Sequence, residues 1–390
     1  MFKYLFRRDT ILATILVFVL IGFLSLIPIN ADFLDPVKLA LQDFDFNDMA
    51  YSQFNKNGHT AVDTNIVIVN IEDAARPEIA AMAEAAVAQG AAAVGVDVLF
   101  NESKDSETDG ILQKLYVRND VVLAYDLVAE QKSAVKPVGF LFPFASHKGF
   151  ANFVGEESGV IRYFAPAVQQ QDTQYLSFPA AMAKIAYPEQ FTNLLDKNRE
   201  AVLINYSRTG GKFIVLEGSS LLQPTENSIS LRNKIVLIGF VGKDENNIED
   251  KHFTPFNKKS VGRSVPDMEG IFIHANIISM IRDGSYVKQV PVWMNWLLAF
   301  VLCWLHMAIF IRYDKYPLFH LAAKIGQVIS AVLFVYLGLL FYYKWNIRTE
   351  VIPTFIAIIL AVDVLYFYES FMAWIHNKLG IHSIFVNKPH

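Results

Sequence analysis

The chain has a single cysteine in 390 residues, Cys303, so no disulfide can form within it. An oxidising compartment permits disulfides without requiring them, so this shortage leaves the compartment open. Charge is scarce as well: 18% of residues are Asp, Glu, Lys or Arg, below the roughly 25% usual in soluble domains. No G-x-x-x-x-G-K-S/T loop, no G-x-S-x-G elbow and no H-E-x-x-H helix occurs. The phosphate cradle, serine nucleophile and zinc-protease helix are therefore missing, and the expected class is not an enzyme and has no cofactor. Internal repeats and low-complexity tracts are absent too.

What is present in excess is apolar: 53% of the chain. The excess is local. Thr10 to Ile29, Val292 to Ile311, Leu321 to Tyr343 and Val351 to Phe371 are four long apolar spans. Each meets the roughly 20 residues that a hydrocarbon core of about 30 Å requires. Soluble cores seldom bury four such runs, so four transmembrane helices are expected, at 10–29, 292–311, 321–343 and 351–371. Basic residues set the orientation. Lys3, Arg7, Arg8, Arg312, Lys315, Lys324, Lys378 and Lys388 fall on one side, against Lys344 and Arg348 on the other. This predicts a cytoplasmic N-terminus over 1–9, an extracytoplasmic domain over 30–291 and a short cytoplasmic tail over 372–390. The first span exceeds the about 7–15 apolar residues of a signal peptide and lacks a good cleavage site, which favours an uncleaved anchor.

The segment from 30 to 290 carries 24 basic and 33 acidic residues, net −9. That balance argues against nucleic acid and against docking on anionic lipid. Residues 30–60, with Asp32, Asp35, Asp43, Asp45 and Asp48, read as an irregular acidic stalk. Beyond it, Asn65–Ile71 and Ala91–Phe100 read as strands around a helix from Pro77 to Gln89, a βαβ unit with a parallel pair. A helix over Asp109–Tyr116 and a strand over Val121–Leu127 follow. Ser158–Val168 reads as an edge strand, because Pro166 cannot sit centrally. Phe178–Ala186 reads as a helix, and Ala201–Tyr206 and Lys234–Phe240 as two more strands. The predicted fold is an α/β domain with a mainly parallel central sheet and helices on both faces, plus four transmembrane helices.

Residues 234–284 join that domain to the membrane. Ile235–Gly239 is a continuous apolar run suited to a strand covered on both faces. Pro255 keeps Thr254 extended. After the Pro266-Asp267 turn, Ile271, His274, Ala275, Ile278 and Ile281 recur at helical spacing, and Gly284 stands at the C-cap position. The order KIVLIG, D-x-x-x-TP, PDMEG and IHAN resembles the CHASE-type extracytoplasmic sensory domains of the second class. These accompany bacterial cyclases, histidine kinases and serine/threonine kinases and are followed by three membrane spans. The resemblance covers roughly residues 60–375. It departs from the family in two places: Asp73–Pro77 stands where many members carry a Trp-Pro segment, and the cytoplasmic output domain into which members usually continue is not expected here. It implies that Asp250, Thr254, Pro255, Pro266 and Asp267 fix the connection from sheet to final helix, with His274 and Asn276 on that helix. It also matches Asp73 and Asp97 to the family's strand-ending acids, and implies a homodimer.

Asp73 and Asp97 close the first two strands, where ligands of parallel sheets gather. Together they suit a polar or cationic ligand; the alternative is that they cap helices and loop amides. Gly239 and Gly242 bound a turn able to cradle an anion, or a turn with no ligand. Asp250, His252, Asp267 and His274 carry metal-ligating chemistry, but no spacing among them fixes a geometry, and no metal is expected. Asn152, Arg162 and Ser177 are pocket candidates by loop position alone. Inside the membrane, Asp363 is mid-span, where a carboxylate costs roughly 2.5–3.5 kcal/mol. His306 and Lys324 fall in the same half, so a polar cluster is expected there, either as a partner contact or as an interhelical hydrogen bond.

After Phe371 only 19 residues remain, too few for a kinase or cyclase. The expected protein is therefore a multi-pass bacterial inner-membrane sensor whose periplasmic domain recognises a ligand or protein and acts through a partner membrane chain. The alternative is a structural subunit of an envelope complex.

Overall fold

The computed structural model describes residues 2–26, 45–58, 60–129, 135–154, 159–196, 199–225, 228–243, 247–257, 265–314, 316, 319–380, 383 and 385. Most of the stalk expected over 30–60 lies outside them. The chain divides into two compact units, one holding the long apolar helices and the other running from Tyr51 to Val287. The first apolar helix is α1 (Arg8–Ser25).

The second unit is an α/β domain. Its elements are β1 (Asp63–Asn70), α2 (Arg76–Ala88), β2 (Ala93–Asp97), α3 (Ser106–Tyr116), β3 (Val121–Ala129), β4 (Val135–Val138) and β5 (His147–Phe150). They continue with α4 (Phe178–Ala186), β6 (Phe213–Glu217), β7 (Ile235–Gly239) and α5 (Gly270–Asp283). The main sheet runs β6-β1-β7-β2-β3, all parallel. β3 then splits its pairing: Val122–Tyr125 run parallel to β5, and Asp126–Ala129 run antiparallel to β4. The mainly parallel sheet is as expected. One detail differs, because β7 inserts between β1 and β2, so the first two strands are not neighbours.

The alternation of a strand's side chains puts helices on both faces. Val67, Val69, Val94, Val96, Val236 and Ile238 share a core with Ile79, Ala83, Leu112 and Leu115 of α2 and α3. On the opposite face, a Cβ at Gly95 would lie 2.6 Å from the Phe178 ring and 2.8 Å from the Met182 sulfur of α4. The missing side chain lets α4 sit against the sheet. Local signals delimit the helices: Asp105 accepts from the backbone N–H groups of Glu107 and Thr108 to start α3. Gly284, at φ 61°, closes α5 in the left-handed conformation expected of it.

The strands expected over Ser158–Val168 and Ala201–Tyr206 are not part of this sheet. Tyr163–Phe164 pairs antiparallel with Val202–Leu203, and Ala167–Gln170 forms a hairpin with Thr173–Leu176. Pro166 separates the two short pieces. β6, at the sheet edge, has the weak alternation of a strand with one face open to solvent, and β5 (HKGF) has almost no strand signature.

The membrane unit contains α1 with α6 (Val292–Tyr313), α7 (Phe319–Trp345) and α8 (Ile352–Leu379). All four are long and apolar enough to cross a bilayer, with mean hydropathy from 1.8 to 2.0. Small side chains let them approach closely: Ala13, Ala299, Cys303, Ala357 and Ala361 are all fully buried.

Candidate ligand site

Three segments build the site. The first is the set of strand carboxyl ends. The second is the stretch Asp250–Phe256, which runs antiparallel to Met268–Glu269 as a short ribbon. Thr254 donates from its backbone N–H (2.9 Å) and its hydroxyl to the Asp267 carboxylate, and the Asp267 N–H donates back to the His252 carbonyl (3.0 Å). Pro255 is buried beside this clasp, and Pro266 is half-buried at its far side. The third segment is α5, buried from Gly270 to Ile281. Asn276, with 0% exposure, fastens it to the 207–208 backbone: its side-chain oxygen accepts from the N–H groups of Ser207 and Arg208 (3.0 Å each) and its amide donates to the Arg208 carbonyl (2.9 Å).

These segments enclose a cleft of about 340 Å³ at the carboxyl ends of the parallel strands. Ile71 follows β1, Phe240 follows β7, Asp97 ends β2, and Asp126 lies in β3. Asn152 and Phe153 follow β5; Asp250, His252, Gly270 and His274 complete the wall. Asp250 takes the left-handed conformation, φ 57°, one that Asp adopts more readily than most residues. The Gly270 N–H, at the start of α5, donates to the Asp250 carbonyl (3.0 Å).

Asp97 and His274 define the electrostatics. The Asp97 side chain is 13% exposed, and its Oδ1 lies 3.9 Å from His274 Nε2, too far for a hydrogen bond. Burial, and then the charge of Asp250, push the Asp97 carboxyl up to about 7. His274 is 2% exposed and stacks on Phe153 at 4.7 Å. Burial, and then His252, push it down to about 3, so it is neutral at physiological pH. Its Nδ1 is buried with no hydrogen-bond partner among the described residues.

The other sequence candidates fall elsewhere. Asp73 is 95% exposed and sits 3.7 Å from Lys243. Gly239 serves packing, since a Cβ there would lie 2.8 Å from Ile271 Cδ1 and 3.2 Å from Asp97 Cβ. Gly242 lies against Asn247 and Glu269. Neither glycine lines the cleft. Ser177 is buried and donates to the Pro166 carbonyl (3.2 Å), and the Arg162 carbonyl accepts from Ile204 (2.9 Å). Among the described residues, no three His, Cys, Asp or Glu side chains are grouped to hold a metal ion. Asp126, Phe153 and Phe240 were not foreseen, because nothing in a single sequence distinguishes them from ordinary strand-end residues.

In the membrane unit, Lys324 Nζ donates to Asp363 Oδ1 at 2.6 Å, with 45% and 57% of the two side chains exposed. His306 belongs to a separate contact, with Ser330 Oγ at 2.7 Å. Gln327 donates to the Ile358 and Ile359 carbonyls.

A parallel α/β domain with a cleft at its strand ends, carried by four apolar helices, is the architecture of a membrane-attached recognition module. The family model described as the CHASE2 domain matches residues 13–310, well over half of the chain, and the chain belongs to that family. The family is sensory rather than catalytic, so the chain is a multi-pass membrane protein with a sensor domain of signal transduction. No curated protein and no solved structure matches it.

Proposed function

We propose that the protein is a non-catalytic receptor of the bacterial inner membrane. Its α/β domain lies in the periplasm, binds a small polar ligand in the strand-end cleft, and acts through a partner membrane chain. The observation that carries this reading is the cleft itself, built at the ligand-binding end of a parallel sheet in a family of sensory domains. α5 supplies a route for the signal. His274 and Gly270 line the cleft at its start, and eight positions after its C-cap Gly284 the chain enters α6 at Val292. The half-exposed Lys324–Asp363 pair supplies a reason for a partner, since charges facing lipid chains are costly and those facing a polar neighbour are not.

Two experiments test this. The tagged protein is recovered from gently solubilised native membranes, and co-purifying chains are identified. A kinase, cyclase or other regulator is expected with the wild type. The Lys324→Leu/Asp363→Leu double variant, which removes the pair without leaving a lone charge, should lose it. Stable, ligand-independent recovery of envelope-complex subunits would instead establish a scaffold. Orientation is read from alkaline phosphatase fusions: activity is expected for a fusion near residue 285 and none for one near 380. The reverse pattern overturns the periplasmic assignment.

A further inference from the structure

We propose that the α/β domain holds a free divalent oxyanion, phosphate or sulfate, in a second pocket between Lys184 of α4 and His147 and Lys148 of β5. This goes beyond the receptor reading, because no residue lines both this pocket and the strand-end cleft.

The sheet edge places the basic groups. β5 pairs with β3, and a cavity of about 170 Å³ lies against it. The cavity is walled also by Thr173–Leu176 of the hairpin and by Ala181 and Lys184 of α4. Side chains alternate along a strand. Gly149 faces α4, since a Cβ there would lie 2.4 Å from Phe178 Cα. His147, two positions earlier, reaches the cavity from that same face, and Lys148 reaches it from the other.

The charge of the walls is the first argument. His147, Lys148 and Lys184 line the cavity, and no Asp or Glu lines it among the described residues. This grouping runs against the acidic balance of the surrounding domain. Among the described residues Lys184 has no ion pair and the His147 ring has no hydrogen bond. Burial, and then the charge of Lys184, hold His147 below its ordinary value of 6.5, and burial lowers Lys148; in neither case does a carboxylate offset the change. Lys148 is fixed in place: its Nζ donates to the Phe142 carbonyl at 2.7 Å and lies 4.1 Å from the centre of that ring. Two of its three N–H groups stay free for a second acceptor. The basic side chains repel one another, and an anion between them relieves the repulsion.

Tyr125 is the second argument, and it is independent of the lysines. It lines the cavity, is 2% exposed, and its hydroxyl has no hydrogen-bond partner among the described residues. A buried polar group normally has one. Burial, and then Tyr175, push the phenol up, so it keeps its proton and remains a donor. Water meets that need as well, but the basic side chains favour an oxyanion over it.

Size and charge narrow the class. A volume of about 170 Å³ lies below the roughly 300 Å³ at which pockets for organic ligands begin, and an inorganic ion fits it. With His147 neutral, the two lysines match the double charge of phosphate or sulfate.

The test uses the full-length protein in phosphatidylcholine nanodiscs, with chloride holding the ionic strength constant. Inorganic phosphate and sulfate are the probes, read by equilibrium dialysis of the labelled ions and by thermal unfolding. One ion per chain should be retained, and at about ten times its Kd it should raise the melting temperature by about 3 °C. Lys184→Gln, at an exposed position of α4, should weaken binding at least about tenfold, and Lys184→Arg should restore most of it. Lys114→Gln, an exposed lysine on α3 outside the pocket, should change nothing. Glycerol 3-phosphate, which carries the same group on an organic chain, should bind at least about tenfold more weakly than the free ions, because the cavity is small.

Four results would overturn the proposal. No retained phosphate or sulfate at about 10 mM, on the order of the weakest useful affinity, is the first. Equal stabilisation of the wild type and Lys184→Gln would assign the effect to the general exclusion of such salts from protein surface. Equal weakening by Lys114→Gln would assign it to the field of the whole domain. Binding of glycerol 3-phosphate alone would make the ligand a phosphate ester. None of these touches the receptor reading, which is decided by the chains recovered from native membranes.

Discussion

Replacing Asp97 with Asn should raise the melting temperature of the protein at pH 8 by about 5 °C and leave it nearly unchanged at pH 4. Asp97 ends β2 with its side chain 13% exposed, and no described residue donates a hydrogen bond to its carboxylate. Burial first, and Asp250 second, push its carboxyl up from 3.8 to about 7. The sign follows from proton counting. Between those two values the folded protein keeps a proton that the unfolded chain has released. Stability from this group is therefore present below pH 4, falls as pH rises through about 7, and is lost above it. A gap of about three pH units corresponds to at most about 4 kcal/mol at 1.36 kcal/mol per unit. Water reaches the carboxylate through the cleft, and about 2 kcal/mol is the expected share. Asn keeps the shape and removes the charge. Thermal unfolding of both proteins from pH 4 to pH 8 checks this. A variant no more stable than the wild type at pH 8, or a difference independent of pH, contradicts the account.

The same residue illustrates what a sequence can and cannot disclose. Its place at the end of an apolar run, Ala93–Val96, was legible, because a strand buried on both faces must be apolar until it leaves the sheet. β1, β3, β7, the helices α2 to α5 and the four spans were legible for comparable reasons of period and length. The neighbours of Asp97 were not. Asp250 reaches it, and His252 reaches the same cleft, only because the 250–256 segment folds back along Met268–Glu269, and that pairing is set by the Thr254–Asp267 clasp. Such contacts depend on register between distant segments, for which local pattern carries no information. The edge strand β6 was hidden for the opposite reason. One of its faces needs no apolar cover, so Val215 is 38% exposed and the run reads as an ordinary loop. The glycines were misleading in a third way. Gly239 looked like part of an anion cradle, yet the absent side chain serves the close approach of Ile271 from α5.

The largest loss of stability is expected at a residue with no signature at all. Asp63 opens β1, and its side chain has 0% exposure. It is held from several sides. Arg282, in the last turn of α5, donates to both carboxylate oxygens at 2.9 and 3.0 Å. Ser279 donates at 2.9 Å, the Asn65 N–H donates at 2.9 Å, and Arg208 lies 3.3 Å away. Burial alone would raise this carboxyl. The bonds from Arg282 and Asn65 and the charges of Arg282 and Arg208 prevail, and it ends below its ordinary value. A group lowered in this way stabilises the fold above its unfolded value, near 4, and that contribution disappears as pH falls through the lower folded value. Asp63→Ala removes the anion and leaves two largely buried guanidinium groups facing each other, a change that costs roughly 3–5 kcal/mol. At 2–4 °C per kcal/mol for a domain of this size, the melting temperature should drop by about 10 °C. Arg282→Met in the same background should cost much less than it does in the wild type, because its main partner is already gone. Strictly additive losses would mean that the two side chains do not depend on each other, and that the tie between the first strand and the helix leading to the membrane lies elsewhere.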